Sequence, residues 1–200
     1  ARYSDDIVIL SDNKDQLKQY LDKLLTSINE YGLTINPDKY TWFEPGDSID
    51  YLGLELNDNG VIDISKHAKF KMKKQIHRWC RKGRMEIERE HQDFNIVASR
   101  IMRKLNNKNF KCFIYNEEQF GWCAYAFPRI TTTETLKELD LYTKKCLRAM
   151  KTGKHNKANY KAMTEEEFHS LGWVSLVQLY WLFKKDFDYI EDIPYKLGYT

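Results

Sequence analysis

Apolar residues recur at different spacings along this 200-residue chain, and the spacing changes near residue 65. Ile7-Val8-Ile9-Leu10 is an unbroken aliphatic run, the pattern of a strand buried on both faces. Leu17, Tyr20, Leu21, Leu24, Ile28 and Tyr31 then repeat at helical spacing, which predicts a helix over about 13–31, capped by Asp12 and ended by Gly32. Residues 33–43 read as a strand interrupted by a turn at Asn36-Pro37-Asp38. Residues 49–56 and 61–64 read as a hairpin closed by Asp58-Asn59-Gly60.

From Ser65 onward the period is helical. Ser65 caps a helix expected to reach about Arg81, with Met72, Ile76, Trp79 and Cys80 as its apolar stripe. A second helix over 93–105 places Phe94, Val97, Ile101 and Leu105 on one face and Arg100, Arg103 and Lys104 on the other. Residues 106–132 are irregular and aromatic, and we expect Phe110, Phe113, Trp122, Phe127 and their neighbours to form core rather than a base-stacking surface. A helix over 133–151, a basic polar loop over 153–161, a helix start at Thr164-Glu165-Glu166-Glu167 and a mostly apolar helix over 174–190 complete the pattern. The fold class expected is α+β: antiparallel strands and a helix over 1–64, then an all-helical region over 65–200.

Charge sharpens that division. Residues 1–64 hold thirteen Asp/Glu against five Lys/Arg and residues 65–200 hold sixteen against twenty-seven, so a net charge of +3 conceals parts of −8 and +11. Nine Lys/Arg lie between Lys66 and Arg84 without one acid. A solvated helix face normally intersperses both signs, so this run favours a helix that tracks phosphates, with Lys66, Lys69, Lys73, Lys74, Arg78 and Arg81 as contacts, joined by Arg100, Arg103 and Lys104. The longest nearly apolar stretch, from Leu176 to Phe183, is too short to span a bilayer and no signal peptide is evident, so no membrane partner is expected. Cys80, Cys112, Cys123 and Cys146 have neither zinc-ligand nor disulfide-framework spacing, which fits reduced thiols in the cytoplasm.

The acidic pair Asp5-Asp6 stands between Arg2-Tyr3-Ser4 and the aliphatic run. Two carboxylates side by side repel each other, and a hard divalent cation relieves that repulsion. Arg2-Tyr3-Ser4-Asp5-Asp6-Ile7-Val8 resembles the Tyr-x-Asp-Asp box of reverse transcriptases. Two further segments resemble that family in its order: Gly32-Leu33-Thr34-Ile35-Asn36-Pro37-Asp38-Lys39, which carries a lysine after the palm helix, and Tyr51-Leu52-Gly53-Leu54, the primer-grip hairpin. The likeness is to RNA-directed DNA polymerases of prokaryotic or mobile-element type and covers some fifty residues.

The resemblance implies a palm followed by a helical thumb, with Asp5 a direct Mg²⁺ ligand, Asp6 more peripheral, and Tyr3 and Ser4 against the primer terminus or incoming nucleotide. It implies that Lys39 assists the departing pyrophosphate and that Tyr51, Leu52 and Gly53 lie along the primer. The partners so implied are an RNA template, a DNA or RNA primer and a deoxynucleoside triphosphate. The family's third carboxylate precedes this box, so the chain is expected to be a C-terminal fragment lacking the fingers and first palm segment, with an incomplete two-metal site and no activity alone. The last seventy residues are expected to be an extension that binds a structured RNA. Two alternatives stand beside this reading: a noncatalytic nucleic-acid-binding module on a palm remnant, and an RNA-templated RNA polymerase, which the Tyr-x-Asp-Asp form of the box together with the Tyr51-Leu52-Gly53 segment disfavours.

Overall fold

The computed structural model describes residues 2–109, 113–115, 118–120 and 122–185, with the side chains of 39, 107–121, 157 and 158 outside that description. The chain divides into two compact units, Ala1–Glu44 and Pro45–Thr200, and the fold is mixed α+β as expected.

The first unit begins with a short hairpin, β1 (Arg2–Tyr3) and β2 (Asp6–Ile7), in which Arg2 opposes Ile7 and Tyr3 opposes Asp6. The aliphatic run does not form the doubly buried strand its composition predicts. β2 stops at Ile7, which is 41% exposed, and Leu10 is 73% exposed. A strand is covered on both faces only where layers pack above and below it, and the described part of this unit contains one two-stranded ladder. Helix α1 (Lys14–Glu30) is capped by Asn13 rather than Asp12, its side chain accepting from the backbone N–H groups of Asp15 and Gln16 at 2.9 and 3.0 Å. Leu17, Leu21, Leu24 and Ile28 form a half-buried stripe along it.

Residues 33–43 are not a strand. Asn36 accepts from the Asp38 backbone N–H at 3.0 Å and nucleates a single 3₁₀ turn, Pro37–Lys39. The proline removes a ladder donor and the Asn side chain supplies a local alternative to sheet pairing. Beyond the turn, Glu44 accepts from Lys14 Nζ at 2.7 Å and Trp42 Nε1 at 2.9 Å, which holds its carboxyl below the ordinary range.

The second unit opens with an antiparallel meander, β3 (Ile49–Tyr51), β4 (Leu54–Leu56) and β5 (Ile62–Ile64). Thr131 fastens β5 to the chain ahead of α5 (Glu134–Thr152): its hydroxyl accepts from the Ile62 N–H, and its own N–H donates to the Ile62 carbonyl, each at 2.9 Å. Ile64 is buried in one core with Ile76 and Leu139. The change from strands to helices at 64–65 is therefore a change of secondary structure inside a packed unit.

Helix α2 (Lys66–Glu90) starts where Ser65 caps it, through the Ala68 N–H, but runs nine residues past the expected end at Arg81. Gly83 does not break it, because that glycine is where other elements come closest. A Cβ there would lie 2.7 Å from Ile101 Cδ1, 2.8 Å from Met150 Sδ and 2.9 Å from Val97 Cγ1. Ile101 and Val97 lie on α3 (Phe94–Asn109) and Met150 on α5, so three helices meet at this position.

Residues 65–200 are not all-helical as expected: between α3 and α5 lie the antiparallel ladder of β6 (Phe113–Tyr115) with β7 (Glu118–Phe120) and the short α4 (Trp122–Ala126). Phe110, Phe113, Tyr115 and Phe120 lie outside the described side chains. Phe127 is fully buried, meets Tyr180 edge-on with centroids 5.6 Å apart, and packs near Trp122, so this part of the aromatic segment is core. α5 is the centre of the unit, with Leu136, Leu139, Leu147 and Met150 buried along it. The basic loop contains a 3₁₀ turn (Lys157–Ala162), α6 (Glu165–Ser170) has the Thr164–Glu167 capping box, and α7 (Leu176–Lys185) buries Leu179 and Phe183 but leaves Trp181 54% exposed.

Candidate active site and nucleic-acid face

The hairpin at the start of the chain puts both carboxylates of the acidic pair at one tip. Tyr3 pairs with Asp6, so the loop has two residues, Ser4 and Asp5. Ser4 adopts φ +54°, a conformation that few non-glycine residues take, and its carbonyl accepts from Arg2 Nε at 2.8 Å. Tyr3, Ser4, Asp5 and Asp6 are all exposed, and Tyr3 is 65% accessible. Adjacent, water-accessible carboxylates are hard oxygen donors of the kind Mg²⁺ takes one or two at a time, alongside waters and substrate phosphate oxygens. Among the described residues no group of three His, Cys, Asp or Glu side chains is placed to hold a metal. Lys39 ends the 3₁₀ turn of the same unit.

Tyr51, Leu52 and Gly53 belong to the second unit. Leu52 (φ +52°) and Gly53 (φ +80°) form the two-residue turn between β3 and β4, both in the left-handed region that such hairpins require. A Cβ on Gly53 would make only ordinary contact with Ala68 Cβ at 3.6 Å, so the turn conformation, and not crowding, calls for glycine. The turn is clamped from two directions: the Leu52 carbonyl accepts from Tyr125 Oη at 3.0 Å and the Gly53 carbonyl from the Ser65 N–H at 2.9 Å. This mounts the hairpin rigidly on the start of α2.

The structure sorts the basic residues of α2 and α3 into two groups. Lys69 and Lys73 both pair with Glu138, holding its carboxyl below the ordinary range, with Lys69 the larger influence. Lys66 pairs with Glu55 at 3.2 Å, Arg84 with Glu88 at 2.6 Å, and Arg100 with Glu86. Lys74, Arg78 and Arg81 are exposed and have no acidic partner among the described residues, and the same holds for Arg103 and Lys104. Lys71 and Lys82, not singled out from the sequence, share that state. At about 100° per residue, Lys71, Lys74, Arg78, Arg81 and Lys82 fall on one arc of α2, opposite the buried Ile76, Cys80 and Gly83. The four ion-paired residues among the expected contacts, Lys66, Lys69, Lys73 and Arg100, instead tie α2 and α3 to neighbouring elements or to each other.

Residues 1–56 match the family model described as reverse transcriptase (RNA-dependent DNA polymerase). The match takes in the acidic tip, Lys39 and the Tyr51-Leu52-Gly53 turn, and it ends at the last residue of β4. No curated protein and no solved structure matches the chain significantly. The basic face of α2 therefore rests on geometry alone. The pairing that distinguishes Lys69 and Lys73 from Lys71 and Lys82 depends on Glu138, far along the chain, and no local pattern signals it.

Among the described residues, no helix is long and apolar enough to cross a membrane.

Proposed function

We propose that the chain serves RNA-directed DNA synthesis, with the Asp5–Asp6 tip as metal-binding element and the exposed arc of α2 as the face that follows a template–primer duplex. The observation that carries this reading is the reverse transcriptase match over 1–56, with two carboxylates exposed at a hairpin tip inside it. Mg²⁺ bound there would stabilise negative charge on the attacking and leaving oxygens of nucleotidyl transfer. Asp5 and Asp6 would hold the ion, Tyr3 and Ser4 would border the nucleotide, and Lys39 would supply charge beside the departing pyrophosphate. Two water-exposed carboxylates hold such an ion weakly by themselves.

In the second unit, Tyr51, Leu52 and Gly53 would steady the primer strand from a turn that Tyr125 and Ser65 already immobilise. The phosphate contacts would come from Lys71, Lys74, Arg78, Arg81 and Lys82, helped by Arg103 and Lys104.

The test joins metal and duplex. Mn²⁺, a paramagnetic substitute for Mg²⁺, is expected to broaden amide signals of residues 3–7 in the full chain. Asp5→Asn with Asp6→Asn should abolish that broadening, and an RNA–DNA hybrid should bind with an affinity that falls steeply with salt. Absence of both effects overturns the proposal. Salt-dependent binding without broadening selects the noncatalytic nucleic-acid module, a reading favoured by the position of the unpaired cations beyond the matched region.

A further inference from the structure

Beside the exposed arc of α2, a cavity of about 100 Å³ opens between α2 and the C-terminal end of α5. A single water needs about 10–15 Å³, so the space suits a group the size of a heterocyclic base. Its floor is apolar, formed by the buried Cys80, Cys146 and Ala149. Its rim is basic: Arg81 stands on it, and the rings of His77 and His155 face each other with centroids 6.0 Å apart and planes 31° from parallel. Among the described residues, no carboxylate lines it.

One wall is fixed by glycine. Gly153 ends α5 with φ +75°, and a Cβ there would come within 2.7 Å of Arg84 Nη2. The guanidinium is thereby free to lie across the helix end, where Nη1 donates to the carbonyls of Met150 at 3.1 Å and Lys151 at 3.3 Å. Arg84 is thus committed to the wall, and Arg81 is the rim cation left for a ligand.

An apolar floor beneath a basic, imidazole-bearing rim matches a nucleotide part by part. The base loses its ring surface to the floor, aromatic and guanidinium planes stack on it, and the phosphate meets a cation. The site also continues the arc on which Arg78 and Lys82 lie. The geometry points to a pocket for one unpaired nucleotide, its base seated over Cys80, Cys146 and Ala149 and its phosphate at Arg81. This inference rests on the reading of α2 as a backbone-following face, and it names the nucleic acid that face selects: one carrying a bulged or single-stranded nucleotide.

Two titrations of the full chain decide it. In the first, adenosine monophosphate and inorganic phosphate are added separately while the amide of Gly153 and the imidazole of His155 are followed by NMR. Saturable shifts at both positions with the nucleotide, and none with phosphate, are expected. In the second, an RNA stem with one bulged nucleotide is compared with the same stem fully paired.

The bulged stem should bind about fivefold tighter or more. His77→Ala with His155→Ala, both exposed side chains, should remove that preference and leave the paired stem's affinity unchanged. Equal response to phosphate and nucleotide, no response to either, or equal affinity for the two stems overturns the pocket. If neither RNA binds, the backbone-following role of α2 fails, and the mononucleotide titration still decides the pocket.

Discussion

Replacing Lys71, Lys74 and Arg78 together by Gln tests the distinction between free and paired cations on α2. Five cations on the exposed arc have no acidic partner among the described residues. Each phosphate neutralised releases condensed counterions, which contributes about 0.9 to the slope of log affinity against log salt on duplex DNA and about 0.7 on a single strand. The five contacts of this arc contribute about −4.5 to the slope on a duplex, or a factor of about 500 in affinity between 50 and 200 mM salt. The triple variant retains two of them, Arg81 and Lys82, so the arc's contribution falls to about −1.8 and its factor over the same range to about 12.

Lys69→Gln is the control. Its ammonium already shares Glu138 with Lys73, so it is committed within the protein and neutralises no phosphate, and its slope should stay near that of the parent chain. Fluorescence anisotropy of a labelled RNA–DNA duplex, titrated across a salt series, measures all three slopes. An unchanged slope in the triple variant, or as large a change in Lys69→Gln, would refute the sorting of cations by ion pairing.

Two further outcomes follow from the packing of the second unit. Gly83→Ala gains about 1 kcal/mol of helix propensity but forces a methyl among Val97, Ile101 and Met150, all at under 3 Å, and overpacking costs about 1–3 kcal/mol. The balance is a net destabilisation of about 1 kcal/mol in urea denaturation, and a variant more stable than the parent contradicts it. Asp140 on α5 caps the start of α7, accepting from the Leu176 N–H at 3.0 Å, Ser175 Oγ at 2.7 Å and the Val177 N–H at 3.3 Å. Burial nevertheless raises its carboxyl above the ordinary range. The folded state then binds the proton more tightly than the unfolded chain, so this group's contribution is full below about pH 4 and is lost as pH rises through the raised value. The stability of the parent chain relative to Asp140→Asn should therefore decline from about pH 4 upward, and a difference that is flat with pH excludes the effect.

Local chemistry made much of this protein legible. Ser65, Thr164 and the periodicity over 133–151 fixed three helices close to where they stand, because a cap and an apolar stripe act within a few residues. Asp5 and Asp6 are neighbours in the chain and so remain together in any fold, which is why the acidic tip could be read at all. The misread segments are those where competition decided. Asn36 and Pro37 diverted 33–43 from a strand, and the aliphatic run at 7–10 found no second layer among the described residues of its own unit.

What the one-dimensional pattern determined, then, was the acidic tip, the charge division and most helix starts. Only the folded chain decided the rest. The helix expected to stop near Arg81 continues past Gly83, where Val97, Ile101 and Met150 close in, and a run of nine cations reads as uniform until Glu138, Glu55 and Glu88 neutralise some of them. His77 and His155 meet only because α2 and α5 pack together. Caps and periodicities are short-range and survive translation into sequence, whereas close approach and charge pairing depend on distances between residues that the chain itself keeps far apart.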